Sequence, residues 1–346
     1  MDSNNSRRNN FIGHDGFIWW IGVIENRLDP LNLGRCQVRI KGLHSEKNTD
    51  VPSSSLPWAQ PLFPINNSFS TPSTLKEGDR VIGFFMDGDE AQYPIILGMF
   101  HGIPEDEANP NLGFNDQRTD EQLKSAPKKP ESIKYNTDGS GVTITEAEIG
   151  SRYPNILNEP TTDRLSRNES IDNTIVKIKK DSVVTVSDAV GGSWSEPETP
   201  YNTVYPYNQV LGTESGHYLE FDDSPGSERV HLYHRSGTFF EIHQDGSKVD
   251  KITKNKYSII MGDDNVYIMG DCSITVQGNA KVYVKQDCNL KVDGNLDFNV
   301  AGDWKNTIGG DVDFNIGGNL STDTAGTTTI VSDEDVIITG SNIRLN

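Results

Sequence analysis

At 346 residues, with 34% hydrophobic residues, 32 Gly and 17 Pro, the chain is too long for one small core and too rich in turn formers for a large helical protein. A formal net charge of −19 argues against nucleic acid as a partner, because phosphate binding needs clustered Lys and Arg. Cys36, Cys272 and Cys288 are too scattered for a disulfide framework and lack metal-ligand spacing. No stretch reads as a signal peptide or membrane span, so a chain made in a cytoplasm and soluble there is expected.

Residues 1–103 read as short strands, at Phe17 to Asn26, Gly34 to Gly42, Arg80 to Met86 and Ile95 to Gly102. Asp29-Pro30, a long connection holding Trp58-Ala59-Gln60-Pro61, and Asp87-Gly88-Asp89 separate them. Strands this short and closely punctuated predict a small barrel of the OB type, used here for protein docking because its loops lack dense basic and stacking residues. Trp19, Trp20 and Trp58 fit core or subunit interface better than a sugar-stacking platform. His14, His44 and His101 are widely spaced, without evident carboxylate partners, and read as ordinary surface or loop residues.

Residues 104–200 are rich in Asn, Asp, Glu, Pro and Ser and predict an extended linker draped over its neighbours. Strand signals return in 201–255, at Tyr218 to Phe221, Arg229 to His234 and Gly237 to His243, and predict a β collar. His231 and His234, with His217 and His243 nearby, invite a metal reading. Residues three apart on a strand face opposite ways, so no metal site is expected.

From 256 to 346 a glycine recurs every eight residues, at Gly262, Gly270, Gly278, Gly294, Gly302, Gly310, Gly318 and Gly326, with Gln286 as the break. Asp or Asn usually follows, and the residue two before is β-branched: Ile260, Ile268, Val276, Val284, Val292, Val300, Ile308 and Ile316. Gly followed by Asp or Asn makes a corner, through a left-handed φ or a close backbone approach. Between corners, apolar residues keep to even numbers, the period of a strand with one buried face. One octad is too short to close a coil of a single-chain β-helix and instead makes one wall of a triangle. Three copies wound together bury every even-numbered side chain on a shared axis, and nine octads at one strand spacing each give a shaft of about 43 Å. Cys272 and Cys288, two octads apart on the inward face, read as small core residues. One Asp or Asn per unit is too few ligands for calcium.

The predicted architecture is therefore all-β: an N-terminal OB-fold barrel, an extended linker, and a C-terminal intertwined trimeric β-helix, or β-prism, of octapeptide repeats. No catalytic constellation and no cofactor is expected.

Several segments resemble the central baseplate spike family of T-even-like contractile-tailed phages. They are Trp20-Ile21-Gly22-Val23-Ile24-Glu25-Asn26-Arg27-Leu28-Asp29-Pro30, Leu56-Pro57-Trp58, Glu77-Gly78-Asp79-Arg80-Val81, Thr213-Glu214-Ser215-Gly216-His217 and Glu220-Phe221-Asp222-Asp223. The resemblance implies a homotrimer in the virion tail, assembled in the bacterial host cytoplasm. Its barrels would sit under a ring-shaped hub protein, and its prism would be driven through the host outer membrane when the sheath contracts. The best-known member carries a lysozyme domain between barrel and collar. Here 104–200 is too short, has little helical periodicity and lacks the Glu-Asp-Thr arrangement, so no lysozyme activity is expected. No His follows His243, which excludes a tip metal cluster of the His-x-His kind, and a small cone-shaped tip protein is expected to dock near Ile343 and Leu345. The alternatives are a tail-associated glycan-degrading depolymerase on a β-helix, which needs an outward carboxylate cluster that the octads lack, and a type VI secretion spike.

Overall fold

The computed structural model describes residues 17–65, 73–125, 130–135, 142–146, 158–169 and 175–344. Strands β1 (Ile18–Asn26), β2 (Cys36–Ile40), β3 (Trp58–Pro61), β4 (Arg80–Phe85) and β5 (Pro94–Phe100) close a barrel in the order β1-β2-β3-β5-β4. All its pairs are antiparallel except β3 with β5, where Gln60 lies beside Ile95. The alternation of these strands sends Trp20, Ile24, Cys36, Val38, Ile40, Ala59, Val81, Phe85 and Ile96 into one core. Gly83 lies opposite Trp20, and a Cβ there would stand 2.1 Å from the Ile95 carbonyl oxygen and 2.3 Å from the Trp20 ring. Its missing side chain is what lets the indole lie flat on the strand. The Asp29-Pro30 turn is held by the Asp29 carboxylate, which accepts from the amides of Leu31 and Leu33 and pairs with Arg35 at 2.7 Å.

Helix α1 (Asp120–Ser125) opens on a capping box, with the Gln122 amide donating to Thr119 Oγ1 and the Thr119 amide to Gln122 Oε1. After it come a hairpin of β6 (Pro130–Tyr135) and β7 (Val142–Glu146), a 3-10 turn at Leu165–Arg167, α2 (Ile175–Asp181), and a hairpin of β8 (Thr185–Ser187) and β9 (Ser193–Ser195).

The collar is an antiparallel meander of β10 (Asn208–Gly212), β11 (Tyr218–Asp222), β12 (Arg229–Tyr233), β13 (Phe239–Ile242) and β14 (Lys248–Lys251). Leu165, Ile175, Val176 and Tyr201 from the middle segment pack with Tyr218, Tyr233 and Phe239 of the sheet in a second core. The all-β class and the closed barrel are as expected from the sequence. So are three collar strands, whereas β3, β10 and β14 add strands that its patterning did not mark.

The chain divides into two units at Gly278. From Asn255 to Arg344, in both units, the backbone runs in unpaired extended stretches broken by a bend every eight residues, and each of the eight repeat glycines lies in such a bend together with the residue before it, while the bends at Gln286 and Glu334 keep the spacing without a glycine. No described residue in that stretch is shielded from solvent within the single chain.

Candidate functional site

The octads supply the longest set of functional candidates. The eight β-branched residues before the corners, Ile260 through Ile316, are each 44 to 55% exposed, a narrow range that reflects one local geometry repeated. Aliphatic and aromatic neighbours such as Val282, Phe298 and Phe314 are barer still. An apolar row of this length left in water is a large unfavourable term, which a partner surface would remove at about 25 cal/mol per Å² covered.

The corner glycines sharpen that demand. None of the eight has a left-handed φ, so backbone conformation does not require glycine at these bends. An added Cβ at any of them meets nothing within 4 Å inside the same chain. Of the two reasons for a corner glycine, a left-handed φ does not apply here, and within the single chain no atoms make a close approach. Cys272 and Cys288 are exposed and unpaired, while burial in the barrel pushes the Cys36 thiol up to about 11. Ile343 is half exposed, and Leu345 lies outside the described residues.

The covered face of the collar sheet carries charged groups beside the Tyr218, Tyr233 and Phe239 rings: Glu220, Asp222, Arg229, His231 and Glu241 are all almost fully buried, beneath Lys179 from α2. Arg229 bridges Glu220 and Glu241, with an Nη1 to Glu241 Oε1 distance of 3.0 Å. Lys179 Nζ lies 2.6 Å from Glu241 Oε1, and Asn208 donates to Glu220 at 2.9 Å. Burial alone would raise both glutamates, but hydrogen bonds and cationic neighbours hold Glu220 and Glu241 down at about 2. Burial lowers Lys179 to about 8 and lowers His231 as well. His231 has Glu220 at 2.7 Å on Nδ1 and the Lys179 ammonium at 3.4 Å on Nε2, so the neutral ring carries its proton on Nδ1 and donates it to Glu220. The charges are paired with one another, while Arg229 Nε and Asn208 Oδ1 are buried without a hydrogen bond, so the cluster is a largely satisfied polar core.

The sheet's other face carries Leu211, Leu219, Phe221, Val230, Leu232, Phe240 and Ile242, adjacent to one another by strand register. Phe221 and Leu232 are each nearly half exposed. On β14 this bare face continues through Lys248 and Asp250, and the same alternation reaches Ile252, eight residues before Ile260. The frame of the octads therefore begins on the last collar strand.

The His217 and His234 rings lie tilted against each other with centroids 4.5 Å apart, His44 accepts from the Ile40 amide, and His243 pairs with Glu241. Among the described residues no group of His, Cys, Asp and Glu is placed to hold a metal ion. The sequence reading missed the buried partnership of His231 with Glu220. The signal was available in the Glu220-x-Asp222 and Arg229-x-His231 alternation, once the intervening turn sets those residues across from one another.

Comparison with known proteins bears on part of the barrel. Residues 42–126, which contain β3, β4 and β5, match the family described as the Gp5 N-terminal OB domain. Over these residues the chain is similar to the OB domain of Gp5 proteins. Protein Gp5 of Vibrio phage KVP40 is 37% identical over 276 residues, covering 77% of this chain and 65% of that protein. The pre-baseplate central spike protein Gp5 of Enterobacteria phage T4 is 42% identical over 78 residues, 22% of this chain and 14% of that protein. The chain thus spans slightly less than two thirds of the Vibrio phage relative and a much smaller part of the T4 one. Similarity to the former extends well beyond the Gp5 OB domain.

Proposed function

We propose that the chain is the membrane-piercing central spike of a contractile phage tail, a homotrimer in which the octads of three copies wind into one β-prism. The observation that carries this reading is the octad row, in which apolar side chains stay about half exposed or more and the space beside each corner glycine is empty in its own chain. Two further copies supply that contact, and the bare collar face, already in the octad frame at Ile252, extends the same interface upward. A triangular prism also leaves no lateral strand edge to aggregate.

The name of the T4 relative, a pre-baseplate central spike protein, supports a place in the tail baseplate; in this reading the barrels sit under a ring-shaped hub protein and a small tip protein docks near Ile343. The spike acts mechanically, without lysozyme activity. Leu165, Ile175, Val176 and Lys179, from the segment between barrel and collar, cover the collar sheet. Antibodies raised against residues 256–344 are expected to label virions at the end of the tail that meets the host. Label elsewhere on the particle, or release of sugar fragments from cell-wall or surface glycan by the purified chain, contradicts the reading.

A further inference from the structure

Two separate sets of contacts tie the barrel to the collar. The first runs through residues 158–169. The Asn158 amide donates to the Pro104 carbonyl at 2.6 Å and the Thr161 amide to the Gly102 carbonyl at 2.9 Å, while Thr161 Oγ1 accepts from the Gly102 amide at 3.1 Å. Gly102 lies two residues past the end of β5, so this end of the segment is fastened to the barrel. Four residues after Thr161, the Leu165 side chain is in the collar core. Its carbonyl accepts from Tyr201 Oη at 2.7 Å and from Asn208 Nδ2 at 3.1 Å.

The second set is ionic. Arg27, just after β1, grips Glu214 in the turn between β10 and β11 with two hydrogen bonds of 2.9 and 3.1 Å. Lys76 stands 3.6 Å from the same carboxylate. Glu77 lies 3.4 Å from Arg27 and 3.8 Å from Arg118, both barrel-side groups, which fixes the guanidinium that does the gripping. A bidentate Arg–carboxylate pair held in a network orders its surroundings far better than an isolated surface pair.

We infer that these two sets form one fixed joint, which makes barrel and collar a single mechanical body and gives residues 158–169 the role of a force-transmitting strap. The geometry of the joint stands by itself, and the role in transmitting force rests on the spike reading. A free connection of this length would stretch under load before moving anything beyond it, at up to about 3.3–3.6 Å per residue. A joint closed on both sides passes a push directly from the barrel to the collar, bypassing the remainder of the connection.

Hydrogen exchange of the full-length native particle, with Glu214→Gln and Thr161→Ala variants, tests the joint. If both sets open together, Glu214→Gln accelerates exchange of the Gly102 and Thr161 amides, which Glu214 does not touch, by the same factor of about five as its own turn, 213–217. Thr161→Ala in turn accelerates exchange in the 213–217 turn. Barrel-core amides such as Val81 keep their protection in both variants, which separates joint opening from general unfolding. Acceleration confined to the 213–217 turn in Glu214→Gln, or an unprotected Thr161 amide in the parent chain, overturns the inference. Light scattering of the same samples keeps the two proposals apart. A monomeric mass with coupled exchange removes the spike reading and leaves the joint, whereas a trimeric mass with uncoupled exchange does the reverse.

Discussion

Arg39 and Glu25 show how the barrel admits charge to its interior. Arg39 is wholly buried and meets Glu25 at 2.6 and 3.0 Å, while its remaining donors reach the carbonyls of Ser45 and Val51 and the Asn48 side chain. Glu25 also accepts from Ser53 Oγ and from the Phe114 amide, so the pair pins two loops to the barrel. Replacing Arg39 by Met leaves Glu25 buried without its counter-charge and is expected to lower stability by about 3–5 kcal/mol, read by chemical denaturation. The collar cluster has a pH signature instead. Glu220 and Glu241 are depressed from 4.5 to about 2, so the stability they contribute is complete above 4.5 and is lost as pH falls towards 2. Thermal scans between pH 5 and 2 should show the collar melting earlier with each step down, and Glu220→Gln should flatten that slope. At this scale the sequence was only partly legible. Asp29-Pro30 announced its turn, because the cause lies within a few residues. Arg39 with Glu25 and His231 with Glu220 depend on which strands become neighbours, and composition does not carry that.

Among elements, those with a strong period of two were readable and those with a mixed pattern were not. Ile18–Asn26, Arg80–Phe85 and Tyr218–Asp222 lie within a residue or so of their expected places, since alternation alone defines a half-buried strand. Strand β3 was hidden by its length and its terminal proline, and its parallel partner β5 is more than thirty residues away. Strand β14 reads Lys-Val-Asp-Lys, and only its place at the edge of the meander makes it a strand. The capping box at Thr119-Asp120-Glu121-Gln122 could have marked α1 in an otherwise polar stretch. The octads were the clearest element in the sequence and make the firmest prediction at this scale. Val284 is half exposed in the single chain, where Val284→Asp should change stability by less than about 0.5 kcal/mol. In the proposed prism the same change sets three carboxylates on one axis and should abolish assembly, as read by sedimentation velocity. Thiol titration gives a second reading without mutation. Cys272 and Cys288 are open to reagent in the separate chain, so a native particle with no reactive thiol before denaturation supports the prism, and two reactive thiols per chain count against it.

For the whole molecule, the parts make one demand. The barrel and the strap-covered side of the collar each bury a hydrophobic core within a single chain, with most of their buried charges paired. The other side of the collar and every octad are left exposed in the same alternation, and the proposed trimer would cover them together. The sequence made this visible because a repeat that cannot bury its own face specifies its partner as itself. The absolute mass of the native particle by multi-angle light scattering tests that claim most directly. Three times the chain mass of 38.3 kDa, unchanged on dilution, is the result this account predicts, and a single chain mass at every concentration would contradict it.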